Sequence, residues 1–342
     1  MNISPITTDS EHEQVLQCID EAAGYHALIA LHSTRLGPAV GGTRYWSYPS
    51  IQDALTDVLR LSRGMTFKCA VAGLDLGGGK AVMLAAPNPN RTALFRAHGR
   101  AVHSLGGRFV TGEDVGTSPP DMEIVRQETP YVAGLPTLSG DPSPVTARGV
   151  FRAIAAAVCY RWGSDSLGGR TVLVQGCGNV GSSLARQLAA AGASVVVSDI
   201  DQARARIVAA DTGGRTVAPD EIYDVAADVF APCALGAILN SDTIPRLKVE
   251  IVAGGANNQL AHESDADALA GRDILYVPDY VANAGGVMNG CRELLGWDQQ
   301  SSASRVDGIF NTVLTVLETA RGERITPHQA AHHLALQRLQ RD

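Results

Sequence analysis

The chain has 342 residues, enough for two domains, because a single hydrophobic core stops growing near ~250–300 residues. Hydrophobic residues at 45%, charged residues at 18% and a mean hydropathy of +0.02 describe a folded soluble protein and exclude a disordered or membrane-embedded one. The net charge of −7 comes without a basic stripe, which excludes the electrostatic footprint of a nucleic-acid binder.

No apolar run reaches the ~20 residues of a membrane span, and the start MNISPITTDSEHEQ has neither the basic nor the apolar region of a secretion signal. No membrane partner and a cytoplasmic location are therefore expected. The six cysteines (Cys18, Cys69, Cys159, Cys177, Cys233, Cys291) form no C-x-x-C pair and no Cys/His cluster at zinc spacing. They read as buried thiols in a reducing compartment, with no metal expected.

In chain order, HALIALH (26–32) is strand-like, and IQDALTDVLRLSRGM (51–65) has apolar residues at helical spacing. TFKCAVAG (66–73) reads as a short apolar strand. In GLDLGGGKAVML (73–84) three glycines break regularity just ahead of another strand, so Lys68 and Lys80 are expected at strand or loop edges. A helix near 91–105 follows, and GGRFVTGEDVGT (106–117) puts Glu113 and Asp114 at a strand end, where catalytic groups of α/β proteins collect.

From about 130 to 146 prolines, glycines and serines interrupt any period, which marks a domain boundary. A helix (147–161) leads into TVLVQGCGNVG, a helix, ASVVVSDID, another helix, and shorter strands at 228–232, 249–255 and 274–279. This alternation is that of a doubly wound parallel sheet. The expected fold is α/β in two domains, an N-terminal substrate domain (1–138) and a C-terminal Rossmann-type domain (139–307). The end of the chain, from about 303, is amphipathic helix, and 308–342 is expected to pack back on the first domain.

Gly176-Cys177-Gly178-Asn179-Val180-Gly181 matches G-x-G-x-x-G between an apolar strand and a helix. The first two glycines permit a tight turn and close approach of a pyrophosphate to the helix N-terminus, and the third permits close helix packing. The strand SVVVSD ends in Asp199, placed to accept hydrogen bonds from a ribose 2′-hydroxyl. An acid there repels a 2′-phosphate and favours NAD over NADP. Asp201 adds to the negative field, while Arg204 and Arg206 lie a turn further on. By itself such a turn is also compatible with a strand–helix junction that binds nothing.

A lysine inside an apolar segment, as Lys68 is, costs free energy unless its ammonium is paired or used. Lys80 follows three glycines that leave room beside its backbone. Singly, each lysine is most simply a snorkelling or salt-bridged residue. Together with the nucleotide fold downstream, the pair points to an anionic substrate held against a nicotinamide.

GPAVGGTR (37–44), RGMTFKCAVAGLDLGGGKAV (63–82), TGEDVGT (111–117), PSPVTARGV (142–150), GCGNVG (176–181), FAPCALGAILN (230–240), GGANNQL (254–260) and PDYVANAGGVMN (278–289) jointly resemble the leucine/valine/phenylalanine dehydrogenase family, in family order over nearly the whole chain. The resemblance implies a substrate domain facing an NAD domain across a cleft. It implies that Lys68 holds the substrate carboxylate with the backbone at Gly41 and Gly42, that Lys80 is the general base, and that Asp114 handles protons at the substrate nitrogen. Thr146, Asn257 and Asn283, with Asn258, match positions near the nicotinamide or the reacting carbon.

Oxidative deamination needs a neutral α-amine, hydride transfer from Cα to nicotinamide, then water attack on the iminium and release of the 2-oxo acid and ammonia. A free lysine, with a pKa of ~10.4, activates water near neutral pH only where burial and a second cation assist. The resemblance gives that part to Lys68 and the nicotinium ring. A homo-oligomer is also expected.

The related glutamate dehydrogenases carry a lysine before the paired glycines to bind a side-chain carboxylate; here Val40 stands there, so an apolar substrate is expected. Leucine dehydrogenases typically have leucine at that place, alanine where this chain has Gly112, and a valine where it has Gly290, three residues after Val287. These differences enlarge the side-chain pocket and favour an aromatic substrate, phenylalanine or tryptophan. Discrimination by one methylene is only ~1–3 kcal/mol, so a branched-chain preference is the alternative. A catalytically silent NAD- or amino-acid-binding homologue is the alternative of another class, which the presence of both lysines and Asp114 disfavours.

Overall fold

The computed structural model describes residues 1–87, 89–135, 141–292 and 294–340. It divides into two compact units. The first holds Met1–Gly140, Gly290–Trp297 and Ala335–Asp342, and the second holds Asp141–Asn289 and Asp298–Leu334. The loop reading at 136–140 lies outside the described residues. Among the described residues no helix is long and apolar enough to cross a membrane.

The first unit runs β1 (Asn2–Pro5), β2 (Gln14–Asp20), β3 (Tyr25–Ser33), β4 (Ala39–Trp46), α1 (Ile51–Val71), β5 (Gly77–Leu84), α2 (Arg91–His103), β6 (Phe109–Glu113) and α3 (Pro119–Arg126). Its sheet has the order β1-β2-β3-β5-β4-β6, with β4 parallel to β5 and β6 and the remaining pairs antiparallel. Alternate side chains leave opposite faces of a strand. One face carries Ile29, Leu31, Ala81, Met83 and Phe109 against Leu94 and Phe95 of α2. The other carries Leu28, Ala30 and Val82 against Ala54 and Val58 of α1. Each fully buried valine, leucine, isoleucine, methionine or phenylalanine among them contributes roughly 1.5–3 kcal/mol.

The segment 66–73 is not a strand: α1 continues without interruption to Val71. A short apolar run does not by itself distinguish a strand from a buried helix segment. Here Thr66, Phe67, Cys69 and Ala70 extend the buried face that Ala54, Val58 and Ser62 begin. Gly64 lies on the exposed side, where a glycine costs helix propensity but disrupts no packing. The three glycines 77–79 are likewise inside β5 rather than ahead of it. At Gly78 a β-carbon would stand 2.0 Å from the backbone nitrogen of Thr66, so α1 reaches the sheet only because the side chain is missing.

The second unit runs α4 (Ser143–Trp162), β7 (Thr171–Gln175), α5 (Asn179–Ala190), β8 (Ser194–Ser198), α6 (Gln202–Thr212), β9 (Arg215–Thr216), β10 (Val229–Pro232), β11 (Ile251–Val252), α7 (Asp265–Gly271) and β12 (Leu275–Tyr276). It continues through α8 (Asp279–Ala282), α9 (Gly285–Gly290), α10 (Gln299–Asp307), α11 (Ile309–Glu323) and α12 (Pro327–Gln340). The sheet is parallel throughout, in the order β12-β11-β10-β7-β8-β9. The order reverses between β7 and β10, and ligands of doubly wound sheets bind beyond the carboxyl ends of the strands at such a point.

The chain end is three helices, of which α10 and α11 group with the second unit. Only the end of α12 groups with the first. There Arg338 donates to the carbonyls of Cys69 (3.2 Å), Ala70 (3.0 Å) and Leu74 (2.7 Å) and pairs with Asp75 at 2.8 Å. The Cys69 and Ala70 carbonyls also accept from the backbone nitrogens of Leu74 and Gly73, and a cation added there is favourable at a helix C-terminus, so Arg338 fixes the end of the helix that bears Lys68.

Candidate active site

Strand alternation brings together Lys80, Arg44 and Asp114 in the first unit. Thr43 and Thr111 bond to each other on the α2 side of the sheet, so Val40, Gly42 and Arg44 of β4 face α1, as do Val110 and Gly112 of β6. On β5, Gly78 meets Thr66 and Val82 meets Ala54 and Val58, which puts Lys80 on the same face. Lys80 is 6% exposed, and its Nζ lies 2.9 Å from Oδ2 of Asp114, just past the end of β6. A β-carbon on Gly42 would meet that of Asp114 at 2.8 Å, so the glycine leaves the space this carboxylate uses. Lys68, half-buried, lies in the last turn of α1.

The cation that joins Lys80 on Asp114 is Arg44, to which the sequence reading gave no role. Its Nε donates to the same Oδ2 at 3.1 Å, and its Nη1 reaches Asp57 of α1 at 2.8 Å. The Tyr48 hydroxyl donates to that Asp57 oxygen at 2.6 Å. Burial works to raise the Asp114 pKa, but the charges and hydrogen bonds of Lys80 and Arg44 outweigh it and hold the carboxyl below its usual range. The loop beyond Asp114 is fixed by Arg91, which pairs with Asp121 at 2.7 Å and donates to the Gly116 carbonyl at 2.9 Å. Arg44 belongs to the quoted motif GPAVGGTR; the partner that explains it lies 70 residues away and leaves no local signal.

Beneath this face runs a buried chain from Tyr25 to His98 Nδ1 (3.0 Å), from His98 Nε2 to Thr43 (2.7 Å), and from Thr43 to Thr111 (2.6 Å). It ties β4 to β6 next to Gly42 and Gly112. Burial lowers His98 from 6.5 to about 3, so the imidazole is neutral. The unfolded chain takes up this proton first. The stability contribution is therefore complete above about pH 6.5 and is lost as the pH falls toward 3. His32, lowered to about 4 by burial, acts in the same direction. In thermal unfolding followed from pH 7 to 4, His98→Gln should flatten the dependence by up to ~1.4 kcal/mol per pH unit; an unchanged slope contradicts the linkage.

A third group lines small space. Gly112 looks onto Ala133, whose carbonyl oxygen a β-carbon would meet at 3.1 Å. The Gly134 nitrogen donates to the Gly290 carbonyl at 3.1 Å, and a β-carbon on Gly290 would face the Gly134 Cα at 3.8 Å. Gly112 and Gly290, far apart in sequence, thus flank one short segment, 133–134. Val40 is 3% exposed and paired with Gly78 and Val110.

In the second unit the fingerprint closes the β7–α5 turn. Gly176 has φ +96°, and a β-carbon on Gly181 would lie 1.9 Å from the Gly176 carbonyl oxygen, so both positions require glycine. Gly178 is the N-cap of α5, with Asn179, Val180 and Gly181 as its first turn. Asp199, just beyond β8, accepts from the backbone nitrogens of Cys177 (2.6 Å) and Asp201 (2.8 Å). Asp201 caps α6, and Arg204 stands 3.6 Å from it.

Asn283 donates to the Gly255 carbonyl (3.3 Å) and to Oδ1 of Asn257 (2.8 Å), while its own buried Oδ1 has no hydrogen-bond partner among the described residues. Thr146, in the first turn of α4, lies against Gly286, where a β-carbon would be 2.6 Å from its hydroxyl. Gly255 in turn lies against Val180. Thr146, Asn257, Asn283 and the fingerprint therefore form one connected surface of this unit. Asn258 has φ +52°, and Val287, half-buried in α9, belongs to the same unit. Among the described residues no group of three histidines, cysteines or acids is arranged to hold a metal.

A parallel sheet in nucleotide-binding order with a complete fingerprint, joined to a second α/β unit bearing a Lys–Asp ion pair whose lysine is buried, defines a two-unit oxidoreductase. The family description "Glu/Leu/Phe/Val dehydrogenase, dimerisation domain" matches residues 12–131, and "Glutamate/Leucine/Phenylalanine/Valine dehydrogenase" matches 139–203 and 196–342. The leucine dehydrogenase of Thermoactinomyces intermedius is 47% identical over 334 residues, covering 96% of this chain and 91% of that protein. The L-tryptophan dehydrogenase of Nostoc punctiforme is 48% identical over 329 residues, covering 96% and 93%. A crystal structure of L-tryptophan dehydrogenase from Nostoc punctiforme superposes with a TM-score of 0.87 at 47% identity, covering 96% of each chain. The chain belongs to the Glu/Leu/Phe/Val dehydrogenase family and is an amino-acid dehydrogenase, an oxidoreductase acting on the CH–NH2 group of its donor. Its cofactor is a nicotinamide dinucleotide, NAD or NADP.

Proposed function

We propose that this chain catalyses the reversible, NAD-dependent oxidative deamination of an apolar L-amino acid, with an aromatic side chain preferred, to the 2-oxo acid and ammonia. The observation that carries the reading is the Lys80–Asp114 ion pair at 2.9 Å, its lysine buried on the sheet face that also bears Gly112, while Gly134 and Gly290 face each other without side chains.

Lys68 and the backbone at Gly41 and Gly42 hold the substrate carboxylate. Asp114, kept ionised by its two cations, relays a proton from the substrate ammonium to solvent and frees the amine. Lys80 then removes a proton from the water that attacks the iminium carbon, and returns it as ammonia leaves. Bound NAD would supply the acceptor for the hydride that leaves Cα. The unpartnered Asn283 Oδ1 fits a carboxamide donor, and Thr146 and Asn257 complete that end of the site.

At the other end, α5 begins at a glycine without a side-chain cap, which suits a pyrophosphate. Asp199 retains lone pairs for ribose hydroxyls, and its charge opposes a 2′-phosphate. Arg204, with Asp201 as its neighbour, is a poor counter-charge for such a phosphate. Val40 offers no charge to a side-chain carboxylate, which supports an apolar substrate. A homo-oligomer accords with the dimerisation domain matched at 12–131.

Substitution at Gly290 tests the pocket. Gly290→Val adds three carbons facing Gly134 and should shift kcat/KM from phenylalanine toward leucine by about tenfold or more, the effect of roughly one to two methylenes. An unchanged phenylalanine-to-leucine ratio counts against Gly290 as a pocket residue.

A further inference from the structure

We propose that Arg44 is a positioning residue of the proton-transfer centre, sharing Asp114 with Lys80 so that the carboxylate stays in place and in charge balance while the lysine gives up and regains its proton. The inference rests on the reading of Lys80 and Asp114 given above.

Two cations converge on one oxygen, Asp114 Oδ2: Lys80 Nζ at 2.9 Å and Arg44 Nε at 3.1 Å. They differ in what they can do. A guanidinium is permanently charged and planar with a fixed fork of donors, whereas an ammonium is a rotatable point charge that can be lost. Arg44 is fixed at both ends, its Nη1 on Asp57 at 2.8 Å, and its side chain is 21% exposed. Asp57 is fixed in turn by the Tyr48 hydroxyl, a phenol whose pKa burial and Asp57 push up and which stays neutral.

Among the described residues, the ion pairs place Lys80 from β5 and Arg44 from β4 on Asp114, with Asp57 of α1 behind Arg44. Thr117 bonds to the Asp114 backbone, and the adjacent Glu113 is exposed. With Lys80 protonated, two positive and two negative charges balance. Once Lys80 acts as a base, the cluster carries one net negative charge; without Arg44 it would carry two in a mostly buried setting. Uncompensated charge is costly there, so loss of Arg44 penalises the deprotonated form that the reaction needs.

The test is the pH dependence of kcat for NADH formation from L-phenylalanine and from L-leucine with NAD, in wild type, R44M, R44K and D114N. R44M should lower kcat at pH 8 by about tenfold or more and move the rising limb of the profile upward by about one pH unit, the smaller end of what a neighbouring charge imposes. R44K keeps the charge without the fork, so its limb should stay near the wild-type position, with kcat reduced. An R44M limb at the wild-type position alongside an inactive D114N overturns the role of Arg44 and leaves that of Asp114 standing. A fully active D114N removes the Asp114 assignment itself. Should R44M fail to fold, R44K decides: an unmoved limb with lowered kcat supports the inference, and an upward-displaced limb contradicts it.

Discussion

Replacing Lys80 by alanine should lower kcat for oxidative deamination by about 10²–10⁴-fold, the usual contribution of a positioned general acid or base. The residue it removes is 6% exposed and its ammonium pairs with Asp114, so no water molecule inherits both its position and its proton affinity. Arg44 remains on Asp114 in the variant, which keeps the carboxylate ionised and oriented. The loss should therefore fall on kcat, while NAD binding, carried by the other unit, is retained within about twofold because the interaction lost acts in the chemical step. Single-turnover and steady-state rates with NAD titrated separately would show this. A turnover number close to wild type would remove Lys80 as the base.

Gly41→Ala should be as damaging by a different route. A β-carbon at this position would stand 1.8 Å from the Gly79 carbonyl oxygen and 3.5 Å from the Lys80 Cα. These are backbone atoms of the neighbouring strand, so no side-chain rotation relieves the clash and β4 and β5 must separate. Overpacking of this kind costs about 1–3 kcal/mol or more, and displacement of a reacting group by about 1 Å loses ~10²-fold in rate. The expected result is a lowered Tm together with a fall in kcat/KM larger than stability alone explains. A variant with both wild-type Tm and wild-type kcat/KM would mean that the close approach is unimportant.

These two positions also show what the sequence could and could not disclose. The fingerprint of the second unit was legible because its glycines answer backbone demands: φ +96° at Gly176 and a 1.9 Å approach at Gly181 admit no other residue. The alternation of strand and helix around it was equally plain, since the parallel strands are buried on both faces. In the first unit Lys80 and Asp114 stood out singly, but their assigned roles came only from the resemblance, because their 2.9 Å contact joins segments far apart in sequence. Lys68 was placed on a strand when it lies on α1, because a short apolar run does not distinguish the two until its partners are known.

Arg44 and Asp57 were missed for a related reason. An arginine after a glycine pair and an aspartate on an amphipathic helix are ordinary surface residues until the sheet brings Asp114 between Arg44 and Lys80. The proposed pocket includes a residue that the sequence alone did not single out. Gly112 and Gly290 stood out against relatives, but Gly134, in the segment read as a linker, is the residue that Gly290 faces. The clamp of Arg338 on the end of α1 closes a contact across more than 260 residues, for which a sequence carries no local mark.

The most direct measurement is the initial rate of NADH formation with L-phenylalanine, L-tryptophan, L-leucine, L-valine and L-glutamate, compared as kcat/KM, with NADP run beside NAD. The proposed chemistry and pocket predict that an aromatic amino acid leads, that glutamate is the poorest of the five, and that NAD outperforms NADP. Leucine or valine ahead of both aromatics would contradict the pocket, and no amino-acid-dependent NADH formation at all would contradict the Lys80–Asp114 centre.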